Sequence, residues 1–376
     1  ATEQNGVAIG HKAKNTSQSS VAIGENATSS KDMDVAIGKN AAASGGESLS
    51  FGSDSKASGQ ATVAVGKESN ASGSSAISAG YQSAAAGDNA VAVGKNTTAG
   101  ATNAIAVGLR ATATGTRAIA TGAGSSATGE QSLANGFTAK ASGENSIAQG
   151  NAAKASGENS IAQGNAANAS AANATAIGTL SNASGVASFA GGTSAKAIGD
   201  NSIAIGGATV MDDDYLTDKK QTAAHAAKAN GKKSIAIGFN ATTSEEAADS
   251  VVMGTFANAN APSAVVIGEG ALADGDGDLS VAIGRLSKAR DIVTVAIGDK
   301  ADAHANSAIA LGANASASGI SIGGNSVSSM EDSMALGHGS ESLGSETVTI
   351  GYGASSAQDV SYAVTLGAMA QNSANY

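Results

Sequence analysis

Large and small side chains alternate in short bursts along this chain, and each burst ends on glycine. Val7-Ala8-Ile9-Gly10 recurs as Val21-Ala22-Ile23-Gly24 and Val35-Ala36-Ile37-Gly38. With that glycine as a marker, fifteen copies run from Gly10 to Gly206 in steps of 14 residues. Ten more run from Gly238 to Gly367, with one step of 32 residues (206 to 238), three of 16 and one of 11 (312 to 323). Three residues before the marker stands Val, Ile, Leu, Met or Phe in every copy but one, which has Thr175. Two before is mostly Ala, one before is usually Ile, Val, Leu or Met, and four before is nearly always Ser, Thr or Ala. This alternation has period two and predicts a strand at each burst.

A weaker alternation follows each marker. Small residues three and five positions later, such as Ala139 and Ala141, flank polar ones such as Lys140. A second glycine often stands seven after the marker, as at Gly59, Gly73, Gly143 and Gly157. One repeat therefore reads strand, turn, strand, turn, and both glycines are expected to supply the positive φ of tight turns. Segments 141–154 and 155–168 differ only at Lys154 against Asn168. Near-identical repeats stacked in register place like on like and leave sheet edges only at the ends of the stack. Each strand is thus expected to pair with its equivalent in the next repeat. The fold class is all-β: a parallel β-roll, a flattened solenoid with one strand of each of two sheets per coil. Twenty-five coils at the strand spacing of about 4.8 Å would make a column of roughly 120 Å. Regular repeats are expected over 1–206, an insertion loop or hairpin over 207–234, and less regular repeats over 235–376.

The strand before the marker is small on one face and apolar on the other, and strands of that kind are normally covered on both sides. One face fills the roll; identical chains offer symmetric copies of a stripe to cover the other. The expectation is Ile and Val inside the roll, with Ala and Ser at the contact between chains.

Composition narrows the function. The chain has 376 residues, with 50 Gly, five Phe, five Tyr, no Trp and one proline, Pro262. A globular core of that size leans on aromatic and Leu side chains. Cys is absent, so neither disulfides nor thiolate chemistry is available. The net charge of −10, without a basic block, argues against a nucleic-acid partner. No 18-residue apolar run is present to cross a membrane as a helix. Ala1-Thr2-Glu3-Gln4 is not a signal peptide, so an export signal and an anchor are expected outside this segment.

Chemical motifs are few. Gly319-Ile320-Ser321-Ile322-Gly323 matches the nucleophile-elbow spacing, but Ser321 holds the repeat position usually taken by Ala and no strand-to-helix turn is expected. Asp274-Gly275-Asp276-Gly277-Asp278 resembles the start of a calcium loop, yet Leu279 and Arg285 stand where glycine and a carboxylate are required. Gly268-Glu269-Gly270 is one more marker turn. His11, His225, His304 and His338 are scattered and read as exposed singletons. No catalytic residue, cofactor or metal site is expected.

Two departures from the repeat are the candidate sites. The long step carries Met211, Asp212, Asp213, Asp214 and Tyr215, then Asp218, Lys219 and Lys220; it is either a plain surface loop or a ligand-contacting protrusion. One residue before the marker, four successive coils carry Thr121, Asn135, Gln149 and Gln163 in place of Ile or Val. These form a candidate internal polar ladder that fixes register through stacked amides, or an ion or water site on the axis.

Ser20-Val21-Ala22-Ile23-Gly24, repeated as Ser280-Val281-Ala282-Ile283-Gly284 and in related form along essentially the whole chain, resembles the YadA-like heads of trimeric autotransporter adhesins of Gram-negative bacteria. The resemblance implies a left-handed roll, a homotrimer about a three-fold axis, and display on the bacterial cell surface. It implies a membrane connection only through an outer-membrane anchor that is not in this segment. It also implies a non-enzymatic adhesin, a virulence function attaching to extracellular matrix, host cells, other bacteria or abiotic surfaces. The alternative is a passive spacer presenting another binding domain. An ice-binding solenoid would need a regular Thr ladder, and Thr112 and Thr114 stand nearly alone.

Overall fold

The computed structural model describes residues 5–208, 225–274 and 279–373. Among them are 25 strands of three residues and 25 of two, and no helix. The three-residue strand occupies the burst before each marker, as in Ile147–Gln149; the two-residue strand follows four residues after it, as in Lys154–Ala155. The chain forms two compact units, Ala1–Thr179 and Leu180–Tyr376.

Both units stack like on like in parallel. In the first, Val21 pairs with Val35 and Ile23 with Ile37, while Lys140 pairs with Lys154 and Ala141 with Ala155. In the second, Val281 pairs with Val295 and Ile283 with Ile297. The repeat length thus sets the register, as the near-identity of successive repeats predicts.

Which face is inside differs from expectation. Ala134, Ala148 and Ala162, two before the marker, are wholly buried, as are Ala139, Ala141, Ala153 and Ala155 on the opposing short strands. Leu133, Ile147 and Ile161 are only half-buried and lie on the outside. Ala and Ser therefore fill the roll, and Val and Ile stand outside it. The reason is turn length: a four-residue link from marker to short strand holds the two sheets close, so the gap is filled mostly by Ala and Ser with an occasional Val or Thr, and overfilling it is costly. Val252 and Val266, with Val360 the largest fully buried side chains among the described residues, stack on each other in adjacent coils.

Many interior hydroxyls are satisfied locally. Ser146 Oγ donates to Gly143 O at 2.6 Å and Ser160 Oγ to Gly157 O at 2.6 Å. Ser69 Oγ and Ser125 Oγ reach Gly66 O and Gly122 O at 2.9 Å. A buried donor left unmade is expensive, so most interior hydroxyls sit where they can reach a turn carbonyl; those of Ser29, Ser188, Ser202 and Thr365 make no hydrogen bond.

The two glycines do different work. Marker glycines have φ between 118° and 146°, a region closed to other residues. The glycines seven later have no positive φ; a Cβ at Gly59 would lie 2.8 Å from Ser72 O in the next coil. Close approach of stacked coils, and not chain reversal, selects that second glycine. The left-handed turn positions are instead held by other residues, two and nine after the marker, including Asn26, Asn40, Asn145 and Asn159 at φ of 58°, 57°, 53° and 54°. Asn tolerates this conformation best among residues with a side chain.

The irregular steps leave the ladders intact. Ile203 pairs with Ile235 and Lys196 with Lys228, so register passes directly across 207–234. Ile235 pairs with Val251, Val348 with Val364, and Ile309 with Ile320 across the shorter irregular steps. In those three the length changes between the short strand and the next long one: Thr243 to Val251, Ser356 to Val364, and Ala317 to Ile320. The 32-residue step instead opens in the turn after the marker, between Gly206 and the strand Lys228–Ala229.

Candidate functional surface

The outward face of the three-residue strands carries two apolar stripes, one at each end of the strand. Val93 is 38% exposed and Val107 39% in the first unit; Ile205 and Ile267 are comparable in the second. Each contacts its like in the next coil, as Val91 does Ile105 and Val93 does Val107. Repetition turns single exposed residues into a continuous patch, and contiguous apolar patches of this kind mark association surfaces.

Thr121, Asn135, Gln149 and Gln163 are brought together in one column: Thr121 pairs with Asn135, Asn135 with Gln149, and Gln149 with Gln163. Thr121 Oγ1 donates to Asn135 Oδ1 at 3.0 Å. The column is not internal to the roll. The position one before the marker points outward, and Asn135, Gln149 and Gln163 are exposed. The ladder is a polar interruption of an outer apolar stripe, beside Ile119, Leu133, Ile147 and Ile161, which remain apolar.

The residue just after the marker forms a third outer column, at the turn. Four of the ten Phe and Tyr residues stand there: Tyr81, Phe137, Phe239 and Tyr352. Tyr81 lies between two ammonium groups, Lys67 Nζ at 5.8 Å and Lys95 Nζ at 5.6 Å from the ring centre. His338 stacks on Tyr352 at 5.6 Å, and His225 on Phe239 at 5.4 Å, with Phe256 edge-on to Phe239 at 5.5 Å. Two of the four histidines are therefore aromatic partners along this edge, and His304 Nε2 lies 3.0 Å from Ser318 Oγ. Sequence reading missed the column. Its signal was available, since large residues in this chain concentrate at one repeat position.

At the second position of the same turn runs an amide and carboxylate chain. Asn26 Nδ2 donates to Asn40 Oδ1 at 3.1 Å and Asn40 Nδ2 to Asp54 Oδ1 at 2.8 Å. These bonds, first that from Asn40 and then that from Ser53, hold the Asp54 carboxyl below its ordinary range.

Two buried polar groups are structural. Asp34 replaces the usual Ser four before the marker and is wholly buried. Its carboxylate accepts from Lys31 N at 2.9 Å, Gly46 N at 2.9 Å, Ser48 N at 3.1 Å and Ser48 Oγ at 2.6 Å. Ser321, the nucleophile-elbow match, is also fully buried, with its hydroxyl 2.6 Å from Ser326 Oγ. It sits mid-strand, where no substrate reaches it. The insertion residues Asp212, Asp213, Asp214, Tyr215, Lys219 and Lys220 lie outside the described residues, as does most of the acidic stretch Asp274–Asp278.

No curated protein matches the chain. The family model described as YadA head domain repeat (2 copies) does match, in thirteen segments: 16–41, 43–69, 71–97, 99–125, 127–153, 155–181, 183–209, 225–241, 229–257, 276–301, 294–315, 316–340 and 328–354. The first seven begin 27 or 28 residues apart, two coils to each match. Family members are adhesion domains and not enzymes. With the small-residue interior, the marker turns and the like-on-like ladders matched over most of its length, the chain belongs to the YadA head family.

Proposed function

We propose that this chain is a non-enzymatic adhesin head that works as a homotrimer on the outside of a Gram-negative cell. In this reading it attaches to extracellular matrix, host cells, other bacteria or abiotic surfaces. The observation that carries it is the pair of apolar stripes outside the roll. A single chain leaves Val93, Val107, Ile205 and Ile267 more than a third exposed, coil after coil. Burying such side chains yields about 1.5–3 kcal/mol each, and three copies of one stripe close around an axis with no stripe left open.

The turn edges and the outer face of the short strands then remain as the binding surface. They repeat every coil, so attachment rests on many weak contacts acting together. In the trimer the polar column Thr121–Gln163 lies within or beside the contact between chains, where stacked amides fix register.

A solid-phase screen of the purified chain tests the function. Matrix proteins, cultured cells and bare polymer are coated, and retention is measured. Saturable retention on at least one surface is expected. Retention on none would overturn the adhesin reading in favour of a passive spacer. The insertion is tested in the same assay. Deleting 207–224, which keeps the strand Lys228–Ala229 between Lys196 and Thr242 and restores the 14-residue step from Gly206, is expected to leave the melting profile intact while weakening retention.

A further inference from the structure

We propose that the marker-turn edge of the first unit, at Lys67, Tyr81, Lys95 and Arg110, binds a linear acidic polysaccharide, one anionic group per disaccharide meeting each lysine. The proposal rests on the adhesin reading and narrows it to one ligand class.

The geometry begins with Tyr81. Its ring is held between Lys67 and Lys95, at 5.8 and 5.6 Å from the two ammonium groups. Cations over an aromatic face are attracted to its quadrupole, so the ring holds two long, otherwise floppy side chains in place. The two lysines belong to coils separated by one intervening coil and stand about 9.6 Å apart along the stack, twice the strand spacing. An extended disaccharide of two pyranose rings has about that length. Lys39 continues the series two coils earlier, where it pairs with Glu25 at 3.4 Å.

Charge favours an anion here although the whole chain carries −10. The stretch presents Lys67, Lys95 and Arg110 against two carboxylates, Glu68 and, one coil before Lys67, Asp54, whose oxygens already accept from Asn40 and Ser53. Glu68 is likewise engaged, by Lys67 at 3.4 Å and by Gln82 Nε2 at 2.6 Å. Exposed pairs of this kind contribute little and exchange readily. Gln82 is exposed and offers an amide to sugar hydroxyls. Leu109 and Phe137, 49% and 61% exposed, continue the edge at the same two-coil interval and suit the C–H faces of sugar rings.

The same features disfavour nucleic acid. Lysines already cover both faces of the Tyr81 ring, so no base stacks there. Nucleic-acid charges also recur every ~3.4 Å along a strand, far more densely than the lysines.

The test measures binding of the full chain to immobilised hyaluronate, which has one carboxylate per disaccharide, and to its carboxyl-reduced neutral form. Heparin and single-stranded DNA serve as further probes. Wild type is expected to bind hyaluronate and heparin, with affinity falling as salt rises, and to ignore the neutral polymer. Lys67→Gln with Lys95→Gln is expected to weaken binding roughly tenfold or more, the scale of losing two ionic contacts. Glu68→Gln is expected to strengthen it. Melting curves confirm that each variant is folded. Equal binding by the Lys67/Lys95 variant, or DNA bound as tightly with the same sensitivity, overturns the proposal. Wild type that is retained on other surfaces but ignores both acidic glycans also overturns it, and leaves the adhesin reading standing. Wild type that binds nothing overturns both.

Discussion

Ala148 and Ile147 are neighbours on one strand, yet the alanine is wholly buried and the isoleucine is not. The same contrast repeats at Ala162 and Ile161. Inside the roll, space decides: a short link between the sheets admits Ala, Ser and the occasional Val or Thr. Outside it, apolar area decides: Val and Ile gather in stripes that one chain leaves uncovered. Hydrophobicity alone ranks these residues in the wrong order for burial, because the interior of a fourteen-residue coil is limited by volume.

That contrast is broken most strongly from within. Ala148→Leu inserts three heavy atoms into a filled layer, and a loss of about 3 kcal/mol is expected by urea unfolding. Ile147→Ser with Ile161→Ser acts on the other face. It is expected to remove roughly 1.5–3 kcal/mol per side chain from association, while the fold of the single chain is preserved. Sedimentation separates the two effects, since the first variant unfolds and the second dissociates.

A variant of opposite sign sharpens the comparison. Gln149→Ile with Gln163→Ile restores half of the apolar stripe that Thr121, Asn135, Gln149 and Gln163 interrupt. Dissociation is expected to become harder by about 1 kcal/mol per chain, less than full burial yields because stacked amide bonds are given up. A rise in the dissociation midpoint checks this, and a fall would show the amides to be the stronger contact.

The smallest expected effect lies at the turn. Hydrogen bonds from Asn40 and then Ser53 hold the Asp54 carboxyl below its ordinary value. A carboxyl with a depressed folded value adds stability above its unfolded value and loses it as pH falls through the folded one. Acid titration of Asp54→Asn is therefore expected to show slightly less stability lost below about pH 4 than wild type. Parallel curves would show that the bonds to Asp54 do not contribute.

Much of this was legible in the sequence. The constant step from Gly10 to Gly206 and the alternation around Ala148 give strand position, parallel pairing and register, because each follows from repetition alone. The interior face was not legible from hydrophobicity, since it depends on the short link between Gly150 and Lys154 holding the sheets close enough to favour small side chains. Nor were the left-handed positions at Asn145 and Asn159, although Asn recurs at those places in the repeat. The polar column was legible as a column and misplaced as internal, for the same reason as Ile147. The turn edge of Lys67, Tyr81 and Lys95 went unread because its residues belong to separate coils and meet only after stacking.

The central claim is that Val and Ile outside the roll meet their counterparts on sister chains. The mass of the full chain in solution, by sedimentation equilibrium across a range of concentrations, tests it most directly. Three times the 35.7 kDa of one chain is expected, with dissociation setting in at higher chain concentration in the Ile147→Ser, Ile161→Ser variant. A folded wild-type species at the mass of one chain, at every concentration, would contradict the account.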